Sequence, residues 1–263
     1  MQTTIDLNSD MGESYGLYRY GEDEQILPYI TSINLACGFH AGDPVVMNNT
    51  VHLAKKMGVQ VWAHPGFPDI LGFGRRYMHV SPKDLYAYVL YQMGALFAFL
   101  KTAKLSLSHV KLHGALYMMA LEDQKLSEAV CEAIYQFDSL LPIYTIADSE
   151  TEKAAKRIGL HVITEYFADR PYTEKGVKMF GWTQEEIGSA QDIANRVLEL
   201  LKTGFVTGLG GIKVPVKAQT ICVHSDTPRS TEIAKTIYDT LKEKGIQLRS
   251  PERMQILEGG MKI

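Results

Sequence analysis

Apolar positions along the chain recur in two alternating rhythms. Short β-branched or aliphatic runs fall at Thr3 to Asn8, Ser32 to Cys37, Gln60 to Ala63, His109 to Leu112, Pro142 to Ala147, His161 to Thr164 and Ala218 to Val223. Most give way to helical spacing. Ser81 supplies an N-cap and Pro82 a first helical residue, after which Leu85, Val89, Met93, Leu96 and Leu100 recur every three or four positions. Asp43-Pro44 opens a similar segment ending at Gly58, Ser189 one ending at Gly204, and Thr227-Pro228 one ending at Gly245. Phe167 to Gly188 and the glycine-rich Thr207 to Val214 break the rhythm and read as loops, the second hairpin-like. No proline- or serine-rich linker divides the pattern, so one domain over residues 1–263 is expected.

Repeated βα units with nearly continuous apolar strands predict an α/β fold, a parallel sheet covered by helices, either doubly wound or closed. The polar residues choose between these. Strand residues two apart share a face. Asp6, Asn8 and Asp10 share one in the first strand, and Asn34 and His40 in the second; His64 ends the third. Lys111 and His113 alternate along the fourth, Glu165 ends the sixth, and His224 with Asp226 ends the seventh. An open sheet gathers its site at one switch point, whereas a barrel converges the C-terminal ends of all strands on one mouth. The pattern therefore predicts a single TIM-barrel-like (β/α) barrel of seven strands, with Ile246 to Arg249 as a candidate eighth.

Charge narrows the partners. Lys and Arg total 27 against 30 Asp and Glu, a net charge of -3, so nothing calls for nucleic acid or an anionic membrane. A small molecule is the expected partner, and assembly into homo-oligomers stays open. Three scattered cysteines make no disulfide framework. The start, MQTTIDLNSDMGE, lacks the basic-then-apolar run of a signal peptide, and a cytoplasmic location is expected.

Carboxylates, imidazoles and a lysine at one barrel mouth supply acids, bases, metal donors and a cation for an oxyanion or phosphate. Asp10, His40, His64, Lys111, His113, Glu165 and His224 are the candidate catalytic residues. Asp6, Asn8, Glu13, Asn34, Arg75, Arg76, Arg170 and Asp226 are candidate substrate contacts, and Asp10, His40 and His64 a candidate metal set. Asp43 has a competing reading as the N-cap before Pro44. Cys37 reads as a buried apolar residue, and Asp169-Arg170 as substrate contacts or a surface ion pair. The helix after Thr227 is expected to aim its N-terminus at the mouth as an anion site. The remaining histidines, His52, His79, His109 and His161, are read as structural.

Six segments in order, DLNSDMGESYG (6–16), NLACGFHAGDP (34–44), AHPGFPDILGFGRR (63–76), VKLHGALY (110–117), EYFADRPYT (165–173) and ICVHSDTP (221–228), resemble the LamB/YcsF family. The resemblance implies a barrel similar to those of polysaccharide deacetylases. It also implies opening of the lactam of 5-oxo-L-proline to L-glutamate, with ATP and Mg²⁺ as co-substrate and with two partners, the B and C subunits of a 5-oxoprolinase. Lys111 with Arg75 or Arg76 would then neutralise phosphate or carboxylate charge, the Asp6, Asn8 and Asp10 group would orient substrate or Mg²⁺, and an imidazole would handle the water proton. The alternatives are a stand-alone metal-dependent hydrolase and a non-catalytic binding subunit. Ser9, Leu112, Ser225 and the Lys178 to Trp182 stretch depart from the family pattern.

Overall fold

The computed structural model describes residues 3–251; residues 1–2 and 252–263, the ends of the expected 1–263 domain, lie outside the described residues. Seven parallel strands close into a barrel: β1 (Thr4–Met11), β2 (Ser32–Ala36), β3 (Gln60–His64), β4 (Val110–Lys111), β5 (Ile143–Thr145), β6 (Val162–Phe167) and β7 (Thr220–Cys222). Closure is made by β7 against β1, with Asp6 opposite Thr220 and Asn8 opposite Cys222. On its other edge β1 meets β2, Asp10 lying opposite Asn34. An eighth strand, β8 (Gln247–Leu248), also pairs with β1, at Thr4 and Ile5. Carbonyls alternate along a strand, and Thr3 and Ile5 accept from the backbone of β8 and Arg249 on the side where Leu7 accepts from Thr31. β8 therefore continues the β2 edge of β1 below the start of β2 and leaves the seven-strand closure intact.

The helices follow their caps. In α1 (Pro44–Met57) Asp43 accepts from the backbone N–H of Val45 and Val46, which supports its capping role, and left-handed Gly58 ends the helix. Ser81 caps α2 (Pro82–Ala103), whose Leu85, Val89, Met93, Leu96 and Leu100 are all fully buried. Next come α3 (Gly114–Glu122), α4 (Gln124–Phe137) and α5 (Glu150–Ile158). Ser189 and Asp192 form a capping box on α6 (Ala190–Thr203). The last helix, α7 (Ser230–Glu243), starts two residues later than its Thr227-Pro228 signal predicts. Arg229 adopts a left-handed turn there, and the Glu22 carboxylate accepts from Ser230 Oγ and Thr231 N. Its N-terminus is thus satisfied by the protein's own carboxylate, so the expected anion site is already filled.

Phe167 to Gly188 is not wholly irregular, since Tyr172–Thr173 and Gly176–Val177 pair and Gln184–Ile187 is one helical turn. Thr207 to Val214 is a hairpin, as expected. Among the described residues no helix is long and apolar enough to cross a membrane.

Candidate active site

Even-numbered residues of β1 point into the barrel and sit at successive heights. Asp6 lies lowest and accepts from the Thr31, Ser32, Tyr144 and Thr220 hydroxyls. Trp62, Tyr144 and Ile163 form a small buried cluster at this level, and His109 stacks on Tyr144 at 3.9 Å. Asp6 is therefore part of the barrel floor and not a substrate contact at the mouth. Above it, Asn8 donates to Thr220 Oγ1 at 2.7 Å and Glu165 Oε1 at 3.2 Å. Asn34 clamps the next step, donating to Asn8 Oδ1 at 2.8 Å and Asp10 Oδ1 at 2.7 Å.

Lys111 stands in the middle of this column. Its ammonium lies 3.1 Å from Asp10, 2.9 Å from Glu165 and 3.0 Å from Cys222 Sγ. Burial disfavours the charged form, but the acids outweigh it and hold the ammonium's pKa well above the ordinary value. Burial likewise opposes the charge on Asp10, and His64 and Lys111 reverse that, holding its carboxyl well below the usual range. Glu165 is pushed up, chiefly by burial and against the pull of Lys111. Both acids face Lys111, and Glu165 sits beneath it, also accepting from the Tyr117 hydroxyl at 3.3 Å.

Three imidazoles crowd the other side of Asp10. His64 Nε2 lies 3.3 Å from Asp10 Oδ2 and 2.9 Å from His113 Nδ1. The His40 and His113 rings stack at 3.7 Å, nearly parallel, and Glu13 Oε1 lies 3.6 Å from His40 Nε2 and 3.7 Å from His113 Nδ1. Burial and neighbouring positive groups push the His40 and His113 pKa values well down; burial and nearby carboxylates push that of Glu13 well up. The approach depends on glycine. A Cβ on Gly12, which is left-handed, would overlap Leu35 Cδ1, and one on Gly66 would lie 2.5 Å from His40 Nδ1. Glu13, His40, His64 and His113 offer ligand atoms within 4.8 Å of one another, as do Asp10, Cys222 and His224. The two imidazoles of the expected metal set therefore fall with Glu13 and His113, and its carboxylate falls with the second group.

His224 Nδ1 donates to Asp169 Oδ1 at 2.9 Å, and its Nε2 points toward Asp10 Oδ2 at 3.6 Å. Asp169 is fully buried, accepts from Thr227 Oγ1 and pairs with Arg170 Nη1. Against the effect of burial, Arg170 and His224 hold its carboxyl well below the usual range. The Asp169–Arg170 pair is thus interior and not a surface ion pair. The double cation divides: Arg75 pairs with Asp226 at 2.6 Å beside the mouth, whereas Arg76 turns outward to Asp69. Cys37 is buried, its thiol pushed up to about 12 by desolvation, in keeping with an apolar role.

Asp10, His64, Arg75, Lys111, His113, Arg170 and His224 line one narrow pocket at the mouth, walled by Tyr117, Phe167, Met179 and Phe180. The divergent Lys178 to Trp182 stretch thus supplies wall residues, and its Trp182 ring lies 4.8 Å from the Arg170 guanidinium. Tyr117 escapes a reading of the sequence, and for Asp169, a candidate substrate contact there, the hold on His224 does. Tyr117 sits in an apolar helix with no polar signal, and the only cue to Asp169 is its neighbour Arg170.

Fold and site together define a closed seven-strand (β/α) barrel with a buried acid, imidazole and lysine cluster at its C-terminal mouth. The chain belongs to the LamB/YcsF family, whose model matches residues 5–256. It is 47% identical over 253 residues to the 5-oxoprolinase A subunit of Bacillus thuringiensis subsp. konkukian, covering 95% of this chain and 100% of the relative. The protein of the same description from Pyrococcus horikoshii is 47% identical over 245 residues, covering 93% and 96%. The crystal structure of the lactam utilization protein from Thermus thermophilus matches with a TM-score of 0.88 at 43% identity, covering 94% of this chain and 100% of that one.

Proposed function

We propose that this chain is the A subunit of an ATP-dependent 5-oxoprolinase, handling 5-oxo-L-proline at its barrel mouth together with partner subunits B and C, with Mg-ATP as co-substrate. The observation that carries this reading is the Asp169–His224 couple aimed at Asp10 beside Lys111, in a pocket that also presents Arg75 and Arg170. The names of the relatives, which describe a 5-oxoprolinase and a lactam utilization protein, support it.

The substrate carries one carboxylate and one lactam. Arg75, on the open side of the pocket, takes the carboxylate, as planar guanidinium suits bidentate recognition. A lactam carbonyl is a poor electrophile. Transfer of the γ-phosphoryl group of ATP to its oxygen makes the carbon electrophilic, and Lys111 with Arg170 balances the added charge. Water then adds its hydroxyl to that carbon, the ring C–N bond breaks as the nitrogen gains a proton, and a second water hydrolyses the resulting acyl phosphate, releasing phosphate. The turnover consumes two waters and yields L-glutamate, ADP and phosphate. His224 moves the proton, its Nδ1 fixed by Asp169 so that Nε2 faces the reacting atoms.

The test is coupled release of glutamate and phosphate from 5-oxo-L-proline and Mg-ATP by the chain alone, by the chain with candidate B and C subunits, and by the same complex carrying Asp10→Ala. Equal amounts of both products from the intact complex alone, lost in the variant, are expected. Turnover without ATP by the chain alone would favour a stand-alone hydrolase. Undiminished turnover by the Asp10→Ala complex would leave this chain with a substrate-binding role only.

A further inference from the structure

We propose that Glu13, His40, His64 and His113 form a binding site for one divalent transition metal of the Zn²⁺ kind, in the same mouth as the proposed reaction but independent of its substrate. The argument begins with proton positions. His64 Nδ1 lies 2.9 Å from Lys111 O, and His113 Nε2 lies 2.8 Å from Phe73 O. A carbonyl only accepts, so each of these nitrogens carries a proton. The remaining nitrogens, His64 Nε2 and His113 Nδ1, face each other at 2.9 Å. Two ring nitrogens at that distance hold either a proton or a metal ion between them.

Around the same point lie buried polar atoms with no hydrogen-bond partner. Glu13 Oε1, His40 Nε2 and His40 Nδ1 are all unpartnered, and both residues are buried. Leaving such atoms unsatisfied is costly. Ordinary packing would not gather them, and a proton shared by His64 and His113 would leave Glu13 Oε1 and His40 without a partner. Tetrahedral coordination with bonds of about 2.0–2.1 Å has ligand-to-ligand edges of roughly 3.3–3.4 Å. Three of the six donor separations, 2.9, 3.6 and 3.7 Å, lie on either side of that length, and all six lie within 4.8 Å. Three imidazoles and one carboxylate suit Zn²⁺ and its neighbours, whereas Mg²⁺ and Ca²⁺ take oxygen shells. The carbonyls of Lys111 and Phe73 orient two of the rings from behind, as supporting groups do in metal sites. When bound, such an ion supplies Lewis acidity at the mouth.

The experiment uses the full chain without substrate or partners, so its outcome is separate from that of the functional reading. The chain is stripped with a chelator and titrated with Zn²⁺ against a chromophoric competitor, and with Co²⁺ as a spectroscopic probe. One equivalent with Kd at or below about 1 μM is expected, with visible Co²⁺ bands of tetrahedral intensity. His113→Ala and Glu13→Gln each weaken binding at least about tenfold, while folded Asp10→Asn and Cys222→Ser variants keep one equivalent. Absence of stoichiometric binding by the wild-type chain would overturn the site. So would binding that survives His113→Ala and Glu13→Gln but disappears in Asp10→Asn or Cys222→Ser, because that assigns the metal to the second donor group.

Discussion

Asp169 holds His224 at two points, accepting from its ring Nδ1 at 2.9 Å and from its backbone N–H at 3.0 Å. The ring can neither flip nor swing without breaking these bonds. If His224 moves the proton, Asp169→Asn lowers kcat of the reconstituted complex by about 10²- to 10⁴-fold, with KM for 5-oxo-L-proline little changed. Steady-state kinetics with a thermal melt of the same sample checks this. A wild-type kcat in a folded variant would remove His224 from the chemistry.

The paired arginines separate by function. Arg75→Ala raises KM at least about tenfold, a loss of roughly 1.4 kcal/mol of binding. Arg76→Ala, which removes a guanidinium paired with Asp69 outside the pocket, leaves KM unchanged. Equal effects from the two would show that the pocket takes its carboxylate elsewhere.

Lys111→Met leaves Asp10 and Glu165 facing each other without their cation, and denaturant unfolding should show a loss of about 3–5 kcal/mol. Adding Asp10→Asn removes the charge that Lys111 balanced. The double variant is therefore expected to be more stable than Lys111→Met alone, and additive losses would argue against the buried pairing.

Asp6 gives a pH signature. Burial pushes its carboxyl from 3.8 to about 6, against the pull of the hydroxyls around it. The folded state then holds the proton more tightly than the unfolded chain, so this contribution to stability is complete below the unfolded pKa and is lost as pH rises through the folded one. The full loss is roughly 3 kcal/mol. Melting temperatures of wild type and Asp6→Asn from pH 4 to 7 should show the wild type losing ground to the variant as pH rises. A constant difference would contradict the shifted carboxyl.

Gly114 is left-handed, and a Cβ there would lie 2.7 Å from the Gly74 carbonyl. Gly114→Ala combines about 1–2 kcal/mol of backbone strain with displacement of the loop carrying Arg75, for a drop in Tm of about 2–8 °C and a raised KM. An unchanged melt would show that the loop yields freely.

Much of this architecture can be read from the sequence because its signals are local. The period of apolar residues marks strand and helix, and polar residues recurring at strand ends point to a shared mouth, where Asp10, His64, Lys111, His113 and His224 do meet. Height along the barrel axis is a different matter. Asp6, Asn8 and Asp10 share a face, yet only their partners on β5, β6 and β7 separate floor from mouth. Arg75 and Arg76 are likewise equivalent until Asp226, 151 positions away, selects one. Thr227-Pro228 carries a sound helix-start signal that gives way to Glu22, a residue more than 200 positions earlier. Asp169 has no cue except its neighbour, because its role depends on where His224 arrives.

The seam between β1 and β7 sets when this pocket comes into being. Asp6 and Thr220 are joined by a hydrogen bond spanning 214 positions, and Asn8 and Thr220 by one spanning 212. Contacts of such separation form late, after the more local βα units have gathered. Until the seventh strand is made, Asp6 and Asn8 therefore lack their Thr220 partner. Closure at β7 brings Cys222 and His224 to the acids, imidazoles and lysine that β1 to β4 carry, and so completes the mouth.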